Sequence, residues 1–531
     1  MKLRSLMLVF IATLYSITLV ADDNHHHDAN EKLGTVNFQT SCKAETQKPF
    51  ERGLAWLYSF EYAEAEQQFK EVSRQDPQCG MAYWGQAMSL YHQLWARPGK
   101  EDLQRGMELL KKARQAKPLT ARERDYIEAL ATFYSNGDKL DHAHRADAYA
   151  AAMEGVYQRN PHDREAGVFY ALALLASGPE RDANQTNAKK AVAILTKLFE
   201  EQPDHPGIAH YIIHACDNPG MAGLGLAAAR KYAAIAPSSP HAVHMPSHIF
   251  ARLGLWQDDI QSNLAAIAAA DKMQMHTMHH RMHSMDFLEY AYLQIGDDEN
   301  AKSQIARLKQ IPRQEVEADY RDYYDNMLTG FLARYAIERR QWKEALALRP
   351  LEGATPGVQA ETWWANAVAA GHLRDSAAAQ DALNRYEERL ATLKKGPRAY
   401  LVERLTDELN EVRAWAAFAQ GRSDDALALL RSAADDQDKI GKGESELPAR
   451  EMLADMLLDL NRPQEALAQY EISLKTDPNR FNALYGAARA AEMAQQKQKA
   501  SEYYAQLVKN CEGSHSDRPE LEHAKTLMAQ R

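Results

Sequence analysis

The sequence has no His-Glu-x-x-His helix, no Gly-x-Ser-x-Gly elbow, no Walker phosphate loop and no Cys-x-x-Cys pair, so the familiar enzyme signatures are missing. It also lacks a long Lys/Arg block. Its 63 basic and 73 acidic side chains leave a formal charge of −10, which offers no clustered cations for a phosphate backbone, and nucleic acid is not an expected partner. Glycine (26) and proline (20) are too few for a collagen-like or wholly disordered chain. Alternating β-branched runs are scarce, which argues against strands. After the first twenty residues no second long apolar run occurs, so no stable membrane span is expected in the rest of the chain.

What is present is an ordinary globular composition, 45% hydrophobic and 26% charged over 531 residues, long enough for a large core. Lys2 and Arg4 precede an apolar run from Leu6 to Val20, and the composition turns polar at Asp22. Residues 1–21 therefore read as a signal peptide, and the protein as exported, periplasmic or secreted. Residues 22–40, with His25, His26 and His27, read as a mobile leader. An oxidising destination favours pairing among the four cysteines. Cys42 and Cys79, 37 residues apart and flanking one helical hairpin, are the expected disulfide, with Cys216 and Cys511 lacking an obvious partner. Loop closure of that length stabilises by about 4 kcal/mol.

Beyond Phe50 almost every segment places apolar residues, rich in Ala and Leu, at helical spacing, which predicts an all-α chain. Ala65, Phe69 and Pro77 recur in spacing as Ala466, Tyr470 and Pro478, and Ala500 and Tyr504 follow 34 residues later. This order of small residue, aromatic and proline resembles the tetratricopeptide repeat, strongly at both ends and loosely between. The resemblance implies a right-handed superhelical solenoid of helix hairpins whose first helices line a concave groove, where a protein or peptide partner binds. Gly178–Asn187 reads as an insertion, and Arg349–Gly357 and Gln437–Pro448 as breaks. The last of these sets a soft boundary between an N-terminal and central region, 41–436, and C-terminal repeats, 449–531.

Ten of the 20 histidines fall between His205 and His283. His210 and His214 are four apart, as are His244 and His248, so each pair shares a helix face. The pairs are one 34-residue repeat apart. Stacking the hairpins in step predicts that these four imidazoles converge on one transition-metal ion in a His-rich groove, 203–290. Asp217 and His241 are placed to complete the set. His279 and His283 form a third pair in a less secure register. Met273, Met275, Met278, Met282 and Met285 surround that pair, and thioether beside imidazole suits copper. Zinc would favour His with Asp217 or Cys216. Gly223-Leu-Gly225 lacks the preceding strand a dinucleotide needs, so no nucleotide cofactor is expected.

Three functions are compatible with these residues. One is an exported scaffold with a metal in its groove, and a second is a metal-independent peptide or protein binder of the cell envelope. The third is a metal-dependent enzyme of unknown substrate, with Asp217, Cys216 or His241 beside an open coordination position.

Overall fold

The structure, a computed structural model, describes residues 31–94, 97–135, 137, 139–178, 182, 184–273, 278–395 and 402–529. The expected signal peptide, residues 22–30 and His276 lie outside the described residues. Among those described there is no strand, and no helix is long and apolar enough to cross a membrane.

The repeat is built from hairpins such as Gln47–Tyr58 with Tyr62–Gln75. Between them Phe60 takes a left-handed conformation (φ 57°), and the Glu61 amide donates back to the Trp56 carbonyl. This six-residue closing bond satisfies a helix-terminal carbonyl. It recurs from Leu255 to Phe250, Asp297 to Tyr292, Gln341 to Ala336, Asp375 to Ala370, Arg422 to Ala417, Arg462 to Leu457 and Gln496 to Ala491. The middle of the chain, where side-chain resemblance is loose, thus keeps the same backbone turn. The aromatic of each terminal repeat needs a gap to enter. A Cβ on Gly85 would meet the Phe69 ring at 2.6 Å, and one on Gly486 would meet Tyr470 at 2.2 Å. Small residues at these crossings let neighbouring hairpins close-pack.

The superhelix turns tightly enough for its first helix to touch a central one. The Tyr58 ring lies against the backbone of Gly207, and its hydroxyl donates to the buried carboxylate of Glu165. Residues 31–40, expected to be a loose leader, instead strap across this turn. The Thr35 amide donates to the Asp204 carbonyl at 3.0 Å, and Phe38 is buried between Phe50, Trp84 and Tyr126 with Arg122 over its ring. Leu33, Val36 and Phe38 supply the apolar surface that holds it. Cys42 and Cys79 are disulfide-bonded.

The boundary expected within 437–448 is absent as a division of the core, because Ala434 before it and Leu453 after it are both fully buried in one cluster. The C-terminal repeats also fold back onto the central hairpins. Trp256 Nε1 donates to the Asn479 carbonyl at 2.8 Å, and the fully buried Arg480 guanidinium is held by Glu338 and Glu451.

Candidate metal centre

Two short helix starts position the central histidines. The His205 side chain accepts from the Ile208 amide, and Pro206 occupies the first turn of the helix Pro206–Cys216, which carries His210 and His214. One repeat later Ser239 caps Pro240–His244 through the Ala242 amide. Proline suits such first-turn positions because its missing N–H is not needed there. Pro246 then breaks the helical ladder and starts Pro246–Arg252, so His244 and His248 come from successive short helices.

The histidines form two triads. In the first, the His210 Nδ1–H donates to the Tyr58 carbonyl at 2.6 Å, and burial pushes the His210 pKa down to about 3. The ring is therefore neutral at pH 7, with its lone pair on Nε2. His214 Nε2 lies 3.0 Å and His241 Nε2 3.1 Å from that one nitrogen. A single lone pair accepts one hydrogen bond, so two converging nitrogens exceed what it can satisfy. These separations match ligands around a cation: bonds of about 2.0–2.1 Å place neighbouring nitrogens about 2.9–3.4 Å apart. Burial also holds His214 and His241 well below the usual imidazole range, with neighbouring histidines adding to the effect.

The second triad joins His244, His248 and His283, each of which offers a ligand atom within 4.8 Å of the others. Asn263 Nδ2 donates to Asp259, turning its Oδ1 toward His244, whose Nδ1–H donates at 2.6 Å. That leaves His244 Nε2 facing His248 Nε2 at 3.0 Å. The His248 Nδ1–H lies 2.9 Å from both Asp217 Oδ2 and Glu444 Oε1. Burial would lower the His248 pKa, but these two carboxylates outweigh it and raise the value to about 10. In the metal-free protein a proton thus occupies the line between His244 and His248, and a cation binding there must displace it. Burial first, then the His248 charge, holds His283 down at about 3.

This arrangement corrects the expected four-imidazole site. His210 and His214 belong to one triad and His244 and His248 to the other, because each pair points its nitrogens within its own hairpin and recruits a third ring from the first helix of the next hairpin. His241 is a direct member of the first set. Asp217 turns to one nitrogen of His248 and to Arg252 Nε, 2.9 Å from each, and with His248 and Glu444 forms a third cluster that could hold a cation. His279 stands beside Tyr323 and His280, outside both triads, while its partner His283 joins the second. Cys216 is buried, its thiol pushed up to about 12, and belongs to neither set.

The rings also do not line an open groove. His210, His241, His244 and His248 are buried. Phe60, from the first hairpin turn, packs on all three rings of the first triad, and Phe287 on all three of the second. Glu61 accepts from Ser239 Oγ and lies 3.1 Å from His280 Nε2, which fastens that turn to the site. Residues 441–446 close the other side, since Glu444 reaches His248 and the Lys442 carbonyl accepts from Arg252. Tyr58, Phe60, Glu61, Asn263, Phe287 and Glu444 were invisible as site residues in the sequence. Only Asn263, two helices beyond His244, and Phe287, one turn beyond His283, are near in the chain, and nothing in Gly-Lys-Gly-Glu-Ser marks a histidine partner 196 residues away. Beside the triads a cavity of about 570 Å³ is lined by His214, Asp217, Arg252, Arg404, Glu411 and Lys442.

Residues 50–119 and 451–515 match the tetratricopeptide repeat family. Those two stretches are tetratricopeptide repeats, and the described residues as a whole form an all-α solenoid of helix hairpins. Among solved structures, the human IFIT1 dimer with m7Gppp-AAAA is 12% identical over 86% of this chain and 94% of its own, at a TM-score of 0.37. A monomeric IFIT1 mutant with Gppp-AAAA is 14% identical over 88% and 99%, also at 0.37. Likeness at that level carries no argument about ligand. None of the curated proteins compared with the chain matches it.

Proposed function

We propose that this protein is an exported tetratricopeptide-repeat scaffold that binds a transition metal, copper or zinc, through its buried histidine triads. The observation that carries the reading is the convergence of His214 and His241 on the one lone pair of His210, whose other nitrogen is fixed by the Tyr58 carbonyl. Imidazole suits both metals, and a hydrogen-bonded outer nitrogen is the usual way such a ligand is oriented. The Cys42–Cys79 bridge supports an oxidising compartment. The cavity beside His214 is where a peptide or small partner would reach the centre.

Metal analysis of the purified, tag-free chain starting at residue 22 tests this, repeated on His210→Ala and His244→Ala. Stoichiometric metal in the parent and a lower content in each variant is expected. Equal metal content in all three would refute the site.

A further inference from the structure

We infer that the two triads form one binuclear centre, with an ion in each triad and a single hydroxide bridging the pair. This deepens the metal reading above and rests on it.

The six rings are continuous. Within the first triad the ring centroids are 4.7, 4.9 and 6.3 Å apart, and within the second 4.4, 5.0 and 5.7 Å. Between triads, His214 and His248 are 6.4 Å apart, as are His241 and His244. Two cross-contacts therefore fall within 0.1 Å of the widest spacing inside the first triad. Rings in contact across the two sets give the arrangement in which one oxygen can bridge two ions, as in two-metal sites with ions about 3.5–4 Å apart.

Each ion also has a position to fill. Three imidazoles leave at least one open site on a tetrahedral ion. The groups that pack on all three rings of each set, Phe60 and Phe287, are hydrocarbon and donate nothing. Neutral imidazoles bring no charge, so two divalent ions side by side repel unless an anion lies between them. Water entering from the cavity at His214 supplies it. Bound between two cations it loses one proton to solvent and stays as hydroxide, which cation-bound water does near pH 7. Carboxylates adjoin both sets, Glu61 at the amide of His241 and Asp217 with Glu444 at His248, and offset the remaining positive charge.

The test uses the chain from residue 22, stripped by chelation and reloaded with copper(II). Two coppers per chain are expected, with an integrated electron paramagnetic resonance signal well below the copper content, because hydroxide couples the two spins. Filling one position with copper and the other with zinc should restore a full mononuclear signal, and this arm requires no mutation. His241→Ala and His283→Ala should each hold one copper at full intensity, with folding checked by thermal melting. Two coppers at full intensity, or one copper in the parent chain, would overturn the binuclear centre while leaving a metal site. A parent chain that retains no copper or zinc would instead defeat the underlying metal reading.

Discussion

A metal site is set as much by what holds the outer nitrogen of each imidazole as by the ligands themselves. His244 is tied to Asn263, and Asn263 to Asp259, so the ring has one tautomer and one orientation. Replacing Asn263 with Leu removes the acceptor and leaves a buried Nδ1–H without its partner. Metal affinity is expected to fall about 10- to 100-fold, the usual cost of losing such a support, measured by competition with a chromophoric chelator. An unchanged affinity would mean that His244 is not a ligand. His210 and Tyr58 make the same kind of pair with a backbone carbonyl, which side-chain substitution cannot delete. The four-residue spacing put His210 and His214 on one helix face, and it brought His244 beside His248 although Pro246 divides them between successive helices. It could not assign the third member of either triad, because that depends on how far the neighbouring helix is rotated, and helical spacing says nothing of rotation between helices.

At the scale of elements, the segment 441–446 does what no repeat helix does: it crosses between hairpins and sets Glu444 against His248. Mixed charge and glycine made this stretch look like a linker, and nothing local distinguishes a linker from a strap. Its electrostatic effect has a sign that can be worked out for the metal-free chain. His248 is raised to about 10 from the ordinary 6.5, so its stabilisation is complete below pH 6.5 and is lost as pH rises toward 10. His210 and His283 are lowered to about 3, so the folded state binds fewer protons than the unfolded one between pH 3 and 6.5, and stability falls on acidification. The contribution of these three histidines to the stability of the metal-free protein is therefore greatest near pH 6.5, each group contributing at most about 1.4 kcal/mol per pH unit on its own side in thermal melts. Glu444→Gln should flatten the alkaline limb, and it also removes the stability that the depressed Glu444 carboxylate itself loses on acidification. Identical alkaline slopes in parent and variant would show that Glu444 does not face the imidazolium.

The whole molecule is a superhelix that closes on itself at two places, through Tyr58 against Gly207 and through Trp256 against Asn479. The terminal repeats were legible because Phe69 and Tyr470 sit opposite the glycines they require. The closures were not, since they join stretches more than 140 residues apart and depend on superhelical pitch. The disulfide belongs to this scale, because it fixes the strap ahead of the first hairpin to the turn that ends it. Replacing Cys42 and Cys79 together with Ser should destabilise the chain by about 2–4 kcal/mol, seen as a lower urea midpoint. A midpoint within error of the parent would show that the bridge contributes nothing.

The route taken by the polypeptide also imposes an order of events. All six imidazoles have been synthesised once residue 283 has been added, yet the carboxylate that grips His248 arrives more than 150 residues later. A half-finished chain can offer nitrogens to any passing cation but cannot set them in their final orientation. On the metal reading, faithful loading waits for the last third of the protein, and a truncation before residue 444 is expected to leave the same nitrogens with altered selectivity, measured by competition between copper and zinc.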